Sequence, residues 1–370
     1  MRVKFFGLDR QYQEHRENFL EIAERVWSSG KVLQGDEVKS LESYAAERFG
    51  RKRAVAVGSA TDALAFALEA AGVGEGDEVI VNALTFIASA SAILRVGASP
   101  RFADVEETFY QPDFDRAEKL VTPKTKAIIA VHLYGQTFPT ARAEAFADKH
   151  GLVLIEDAAQ AVGAYDGERP AGSIGLASCL SFDPTKVVGS FSSAGLFLTD
   201  DDGVAKKATM ARYHGRDPET RRIVRLGFNS QLASDMAGML EYKLRQLPDW
   251  LERRNEIADR YKSGLADIDD LDLPKTRPGS THNWHKFVFR AKRRDELKAF
   301  LKEREIDTMI HYARPVCDEP LFAELGLPEE ARDVPVARRL GEEVLTLPLY
   351  PELRDEEVDY VVEAVKEFYK

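Results

Sequence analysis

Residues 127–157 read AIIAVHLYGQTFPTARAEAFADKHGLVLIED, and this stretch decides the fold. Its first seven residues are almost continuously apolar, which is typical of a strand buried on both faces of a parallel sheet. Residues 140–150 follow a helical pattern, and the apolar run at 152–155 predicts a second strand. A strand, a helix and a strand in this order predict a parallel sheet that is covered by helices on both faces.

The same alternation continues on both sides of this unit. We expect further strands at residues 53–57, 78–81, 101–103, 179–182 and 196–198, and further helices at residues 61–71 and 87–96. A long helical region follows at 232–267. Because proline lacks an amide hydrogen and clashes with the preceding turn, we expect this region to break near Pro248.

A chain of this length is longer than a single hydrophobic core usually supports, which favours two domains. The proline- and glycine-containing stretch at 271–279 is a candidate boundary. Beyond it we expect strands at 284–289 and 308–312 and helices at 294–305 and 355–369. The predicted fold class is α/β, with a mostly parallel sheet in a large domain (residues 1–270) and a smaller α+β C-terminal domain (residues 271–370).

The composition argues against several classes of function. Of the 370 residues, 44% are apolar and 31% are charged, and the formal net charge of −11 disfavours binding to nucleic acid or to an anionic membrane. No apolar run approaches the roughly 20 residues of a membrane span, and the N-terminus lacks the apolar region of a signal peptide. We therefore expect a cytoplasmic protein in which Cys179 and Cys317 are buried free thiols. His282 and His285 lack a third ligand nearby in the sequence, so no metal site is predicted.

Lys186 and Asp157 point most directly to chemistry. Asp157 comes at the end of an apolar strand, where open parallel sheets bind their ligands. Lys186 follows the apolar stretch 179–182, and burial of a lysine lowers its pKa and favours imine formation. An imine-forming lysine, with a carboxylate that keeps a pyridine nitrogen protonated, is the core of pyridoxal phosphate chemistry. Each residue alone also has an ordinary interpretation, as a helix-capping acid and as a solvated lysine.

Residues 58–64 (GSATDAL) follow a predicted strand and open a predicted helix. Backbone amides at the start of a helix favour a phosphate, although an ordinary helix N-cap explains the same residues. Ser181 is placed to donate to such a phosphate, and Gln160 to reach a ring hydroxyl from the side of Asp157. Neither a GxGxxG nor a GxxxxGK[ST] sequence occurs, so no nucleotide-binding fingerprint competes with pyridoxal phosphate.

These motifs and their order resemble the DegT/DnrJ/StrS family of sugar aminotransferases. The most specific matches are EDxAQ at 156–160 and SFxxxK at 181–186. The resemblance covers nearly the whole chain, because further matches lie at 28–30, 35–38, 58–64, 85–88, 212–215, 227–230, 311–312 and 347–349.

The resemblance implies an aspartate-aminotransferase-like fold of fold type I and a homodimer whose active sites are shared between subunits. Lys186 would bind the cofactor covalently and then serve as the acid and base of the reaction. The other cofactor contacts that it implies are Asp157 at the pyridine nitrogen, Gln160 at the ring oxygen, Phe86 on the ring face, Ala60, Thr61 and Ser181 at the phosphate, and Asn229 reaching the phosphate from the neighbouring subunit.

The activity that the resemblance implies is transfer of an amino group from L-glutamate to a nucleotide-linked 3-keto or 4-keto deoxysugar, in the biosynthesis of deoxyaminosugars for lipopolysaccharide O-antigen or other glycans. Candidate cations for the nucleotide diphosphate are Lys31, Arg212, Arg216 and Arg314. One alternative is a sugar dehydratase of the same fold, although those enzymes carry histidine at the position of Lys186. Another is a non-catalytic regulatory or binding member. The loops at 192–195 and 313–317 depart from the family pattern, which leaves the sugar and the nucleotide open.

Overall fold

The computed structural model describes residues 1–370, which form thirteen α-helices and twelve strands. The helices are α1 (Leu8–Glu14), α2 (Arg16–Ser29), α3 (Asp36–Arg48), α4 (Ala60–Ala70), α5 (Ile87–Arg95), α6 (Phe114–Ala117), α7 (Thr140–His150), α8 (Asp202–Arg212), α9 (Ser234–Leu265), α10 (Arg294–Glu303), α11 (Pro320–Ala323), α12 (Pro335–Glu343) and α13 (Asp355–Tyr369). The strands are β1 (Arg53–Val57), β2 (Glu78–Asn82), β3 (Ser99–Ala103), β4 (Thr125–Val131), β5 (Val153–Asp157), β6 (Tyr165–Asp166), β7 (Arg169–Pro170), β8 (Ala177–Ser181), β9 (Gly195–Thr199), β10 (Leu271–Asp272), β11 (Phe287–Ala291) and β12 (Val344–Leu347).

The main sheet has seven strands in the order β1-β9-β8-β5-β4-β2-β3. All neighbouring pairs are parallel except the two that involve β9, which runs against β1 and β8. The predicted α/β class with a mostly parallel sheet is therefore confirmed. Helices cover both faces, which explains why the last five residues of β4, Ala127–Val131, are all buried without polar alternation.

The strand–helix–strand unit from which the fold was predicted is present. Helix α7 spans the predicted residues, and Gly151 ends it with a φ of 63°, in the left-handed region that glycine enters without steric cost. The chain then turns directly into β5. This short connection brings β5 alongside β4 in parallel register, with Val131 opposite Asp157.

A second, three-stranded sheet in the order β10-β11-β12 lies in the C-terminal part of the chain. It packs with α10, α13 and the second half of α9 around a core that includes Tyr261, Phe287 and Val361. This core also contains Val3 from the N-terminus. The division of the chain at residues 270 and 271 stays a prediction.

Two predictions of local structure are wrong. Helix α9 continues through Pro248 because this proline lies on the exposed side, while Leu244, Leu247 and Trp250 are buried around it and hold the helix in place. Residues 308–312 do not form a strand. Only Met309 in this segment pairs with a neighbour, through both backbone hydrogen bonds to Thr346 of β12.

None of the helices, including the 32-residue α9, combines the length and the apolar character needed to cross a membrane.

Candidate active site

A cavity of about 540 Å³ lies at the carboxyl ends of the main-sheet strands, where β1, β2, β5 and β8 pass into their following loops. Open α/β sheets bind ligands at this edge. Seven of the eight predicted site residues line this cavity, namely Ala60, Thr61, Phe86, Asp157, Gln160, Ser181 and Lys186.

Consecutive carboxylates at the end of β5 have different environments. Because side chains alternate across a strand, Glu156 and Asp157 point to opposite faces of the sheet. Asp157 lines the cavity, while Glu156 is fully buried on the other side. Glu156 accepts hydrogen bonds from His132 Nε2 at 2.7 Å and from Ser178 Oγ at 2.6 Å.

Glu156 also accepts hydrogen bonds from the backbone amides of Gly172 at 2.7 Å and Ile174 at 3.0 Å. Burial alone raises the pKa of a carboxyl, but these donors and His132 outweigh it and lower the pKa of Glu156. His132 Nδ1 accepts from the amide of Phe138, so Nε2 carries the hydrogen that is shared with Glu156. Glu156 is thus a structural anchor for the loop that precedes β8.

Asp157 is 4% exposed, and its two oxygens have separate partners. Ser89 Oγ donates to Oδ2 at 2.7 Å, and the amide of Ala159 donates to Oδ1 at 3.1 Å. Burial raises the pKa of Asp157, and these donors together with the nearby Lys186 amine offset only part of this effect. A protonated ring nitrogen beside this carboxylate would supply the counter-charge that the protein lacks.

Gln160 is held in the cavity wall by both ends of its amide. Its Oε1 accepts from the backbone amide of Tyr134 at 2.8 Å, and its Nε2 donates to the hydroxyl of Tyr312 at 3.3 Å. These contacts fix which end of the amide is the donor, and they tie the segment around Tyr312 to the end of β5.

The N-terminus of α4 forms one end of the cavity. Ser59 caps the helix, with its hydroxyl accepting from the amide of Asp62 at 3.1 Å. Gly195 at the start of β9 packs so closely that a side chain there would lie 2.6 Å from the amide nitrogen of Ala60. This contact holds the loop before α4 against the sheet. Ala60 and Thr61 therefore present the first turn of the helix to the cavity, where an anion is stabilised.

Lys186 lies in the turn after β8, with its amide donating to the carbonyl of Asp183 at 2.9 Å. Burial lowers the pKa of Lys186, and the negative charges of Asp157 and Asp183 partly oppose this effect. A lowered pKa raises the fraction of the nucleophilic neutral amine. Behind the turn, the buried Lys243 of α9 donates to the carbonyl of Gly189 at 2.6 Å and fixes the end of the loop.

Phe86 is 51% exposed although it is a large apolar residue. It precedes α5 and lies across the cavity from Tyr312, with ring centroids 6.4 Å apart. A half-exposed aromatic ring inside a cavity offers a face on which a planar ligand can stack.

Asn229, the eighth predicted residue, does not line the cavity of its own chain. It is exposed, and its Oδ1 accepts from Gln231 Nε2 at 3.3 Å. The candidate cations for a diphosphate are also outside the cavity, and Arg212 is engaged by Glu42 and by the carbonyl of Ala56.

Several residues that line the cavity were not among the predicted site residues. They come from the N-terminus and from the second sheet with its flanking segments, namely Phe6, His285, Lys286, Met309 and Ile310. The one signal in the sequence was Lys286, a lysine inside the predicted strand 284–289, which otherwise contains four aromatic or aliphatic residues and His285. His282, whose ring stacks on Trp284 at 3.9 Å, belongs to no metal-binding cluster, and the structure contains no group of three or more side chains that could hold a metal ion.

Fold and site together define an α/β protein with a lysine and an aspartate facing one cavity at the carboxyl edge of its sheet. The sequence profile of the DegT/DnrJ/EryC1/StrS aminotransferase family matches residues 13–366. The chain belongs to this family, which confirms the resemblance found in the sequence.

Individual relatives match over nearly their full lengths. The chain is 41% identical to the "pleiotropic regulatory protein" of Geobacillus stearothermophilus, over 100% of this chain and 99% of the relative. It is 38% identical to the dTDP-3-amino-3,4,6-trideoxy-alpha-D-glucose transaminase of Micromonospora megalomicea subsp. nigra, over 96% of both chains. Among solved structures, S. venezuelae DesV in complex with a ketimine intermediate superposes with a TM-score of 0.96 at 37% identity, over 100% of this chain and 99% of DesV. The predicted fold type is therefore confirmed.

Proposed function

We propose that this protein is a pyridoxal-phosphate-dependent aminotransferase that transfers an amino group from L-glutamate to the keto group of a nucleotide-linked deoxysugar. The observation that carries the proposal is that Lys186, Asp157 and the N-terminus of α4 face one cavity, with the half-exposed ring of Phe86 in its wall. An amine, a carboxylate, an anion-binding helix end and a stacking ring are the four groups that the cofactor requires.

The residues present fit the cofactor, and each has a task that follows from its surroundings. Asp157 would hold a proton on the ring nitrogen, because its buried carboxylate otherwise lacks a full counter-charge. Ala60, Thr61 and Ser181 would bind the phosphate at the helix end, and Gln160 would contact the ring oxygen. When bound, pyridoxal phosphate supplies the electron sink and carries the amino group between the two substrates.

Lys186 attaches the cofactor and then performs the proton transfers. Its lowered pKa leaves more of the amine unprotonated at neutral pH, which suits both nucleophilic attack and general-base work. Once the amino donor displaces it, Nζ accepts the proton from the carbon that bears the donor's amino group. Nζ would pass this proton to the cofactor carbon that had carried the imine, and in the second half of the reaction it would move a proton from that carbon to the former keto carbon of the sugar.

A homodimer with shared active sites is part of the proposal. Apolar side chains are exposed in two parts of the chain, residues 27–33 and 223–226. These side chains are Trp27, Val32, Leu33, Ile223, Val224 and Leu226. A second subunit that covered them would remove these side chains from water, and the exposed Asn229, three residues after Leu226, would extend into the partner's phosphate site. The two free cysteines suit the reducing cytoplasm, where we place the protein.

The alternatives are less well supported. A dehydratase of this fold would lack the amine that Lys186 provides. A regulatory role needs no partly buried lysine with a lowered pKa in the same cavity as a buried aspartate, and polar groups of this kind are costly to retain without a ligand.

Absorbance spectroscopy tests the proposal. Purified protein mixed with pyridoxal phosphate should turn yellow, and glutamate should remove the colour. Nucleotide-linked 3-keto and 4-keto sugars should then restore it, with 3-keto sugars tried first because the Micromonospora relative is named for a 3-amino product. The Lys186→Ala variant should not develop the absorbance of a cofactor that is linked covalently to a lysine. The Lys292→Ala variant, changed at an exposed site, should behave as wild type. A wild-type protein that stays colourless with added cofactor would exclude the proposal.

A further inference from the structure

Lys286 is a second lysine in the cavity, and no carboxylate forms an ion pair with it, although the negative charge of Asp183 partly opposes the lowering of its pKa. It directly precedes β11 in the second sheet and is 7% exposed. Its Nζ has no hydrogen-bond acceptor and no carboxylate partner, and lies 4.6 Å from the ring centroid of Phe6 and 5.1 Å from that of Phe5. A buried amine without a paired counter-charge is costly to protonate, and an anionic ligand beside it would supply that charge.

No other lysine or arginine of this chain is available for such an anion in the cavity. The lining contains no arginine, and its only other lysine is Lys186, which is committed to the cofactor. The helix N-terminus at Ala60 and Thr61 serves the cofactor phosphate. Among the lysines and arginines that line the cavity, Lys286 is therefore the one that is free for a substrate.

We infer that Lys286 binds the α-carboxylate of the amino donor. This inference rests on the proposed aminotransferase function and adds a donor-binding residue to it. The reason is the covalent structure of the two substrates. The α-carboxylate is attached to the same carbon as the amino group that replaces Lys186, so it must lie close to Lys186. The phosphates of a nucleotide sugar are separated from its keto carbon by several bonds.

The surroundings of Lys286 suit the reversible binding of a carboxylate. The aromatic rings of Phe5 and Phe6 pack edge to face at 4.8 Å and hold the lysine stem on an apolar wall. Burial lowers the pKa of Lys286, and repulsion from Lys186 and Arg254 adds to this effect. An arriving carboxylate would stabilise the charged form and gain a charge-assisted hydrogen bond in a desolvated site.

The experiment compares the pyridoxal-phosphate-loaded wild type with Lys286→Met and Lys286→Arg. Glutarate, a diacid without an amino group, is titrated while the cofactor absorbance is recorded, and KM is measured separately for glutamate and for the nucleotide sugar. We expect Lys286→Met to raise the Kd for glutarate and the KM for glutamate by about tenfold or more. The KM for the nucleotide sugar should stay within about twofold, and Lys286→Arg should recover most of the donor affinity.

Lys292→Met is the matched control, because Lys292 follows the other end of β11 and is an exposed partner of Asp270. It should leave both affinities unchanged. Unchanged glutarate binding in Lys286→Met, or an equal loss of affinity for donor and sugar, would overturn the inference. The proposed function would survive either outcome, since the colour change with glutamate and the turnover of a keto sugar by the wild type test it independently.

Discussion

Ser89 Oγ lies 2.7 Å from Asp157 Oδ2 and donates a hydrogen bond to it inside the protein, on the wall of the active cavity. The hydrogen bond opposes the effect of burial, which raises the pKa of Asp157. Ser89 thus favours the ionised carboxylate that the cofactor's ring nitrogen needs. The hydroxyl of Thr85 lies 3.1 Å from that of Ser89, but Thr85 makes no hydrogen bond to Asp157 itself.

Replacing Ser89 by alanine should weaken cofactor binding. Without the hydroxyl, the pKa of Asp157 rises further and its ionised form loses about 1–3 kcal/mol of stabilisation, which corresponds to a Kd for pyridoxal phosphate roughly tenfold higher or more. Titration followed by cofactor absorbance measures the effect. Thr85→Val is the matched control and should change Kd much less, because Thr85 makes no hydrogen bond to Asp157. Equal effects of the two variants would contradict this assignment.

Replacing Glu156 by glutamine should lower the stability of the folded protein, because Glu156 holds structure and does not line the cavity. An amide has one acceptor oxygen and two donors, so it cannot accept from His132, Ser178 and two backbone amides at once. At least one buried donor is left unpaired, and the free energy of unfolding should fall by about 2 kcal/mol or more in urea titrations at pH 7. Glu144→Gln, which removes an exposed pair with Arg169, should cost less than about 1 kcal/mol.

The loss of stability in Glu156→Gln should depend on pH. The pKa of Glu156 is lowered in the folded state, so its contribution to stability is complete above its ordinary pKa of 4.5 and is lost as the pH falls through the lower folded value. The difference in unfolding free energy between wild type and Glu156→Gln should therefore shrink below about pH 4.5. A difference that grew in acid would show that ionised Glu156 is not the stabilising form.

The site residues that the sequence predicted are those whose position follows from where each strand ends along the chain. Asp157, Gln160 and Ser181 lie at or just after the carboxyl ends of buried strands, and a parallel sheet brings such ends to one edge. The strand period also separates Glu156 from Asp157, and the sequence predicts that Asp157 faces the ligand. In the structure Asp157 lines the cavity, while Glu156 is buried on the opposite face among donors of its own.

Other features depended on contacts between distant segments and were not predictable from patterns. Lys286 reaches the cavity only because the second sheet packs against the lysine turn, about 100 residues earlier in the chain. The segment at 308–312 has an extended pattern, yet it lacks a continuous partner strand, which no local signal reveals. Pro248 likewise has a strong local preference that the packing of α9 overrides.

Replacing Phe86 by alanine should weaken cofactor binding while leaving the stability of the cofactor-free protein nearly unchanged. The ring is half exposed, so its removal takes little buried surface from the cofactor-free protein and should change Tm by a small amount. Stacking on the cofactor is lost, and Kd for pyridoxal phosphate should rise about tenfold. Phe66→Ala provides the contrast, because Phe66 of α4 is buried in the core that packs on the main sheet, and its loss should cost about 3–5 kcal/mol of unfolding free energy. A large loss of stability in Phe86→Ala would show that the ring is part of the core.

Lys243 should give the stability of the protein a distinct pH dependence. Its burial behind the lysine turn lowers its pKa to about 7, whereas the unfolded chain retains the ordinary value of 10.5. Between these pH values the unfolded state binds more protons than the folded state, so the free energy of unfolding rises with pH, by up to about 1.4 kcal/mol per pH unit. Urea titrations at pH 7, 8 and 9 should show this rise in the wild type and a flatter profile in Lys243→Met. Lys39→Met, at an exposed position paired with Asp36, should keep the wild-type slope. If Lys243→Met retained that slope as well, Lys243 would be charged in the folded protein, and the hydrogen bond to Gly189 would have to be that of an ammonium group.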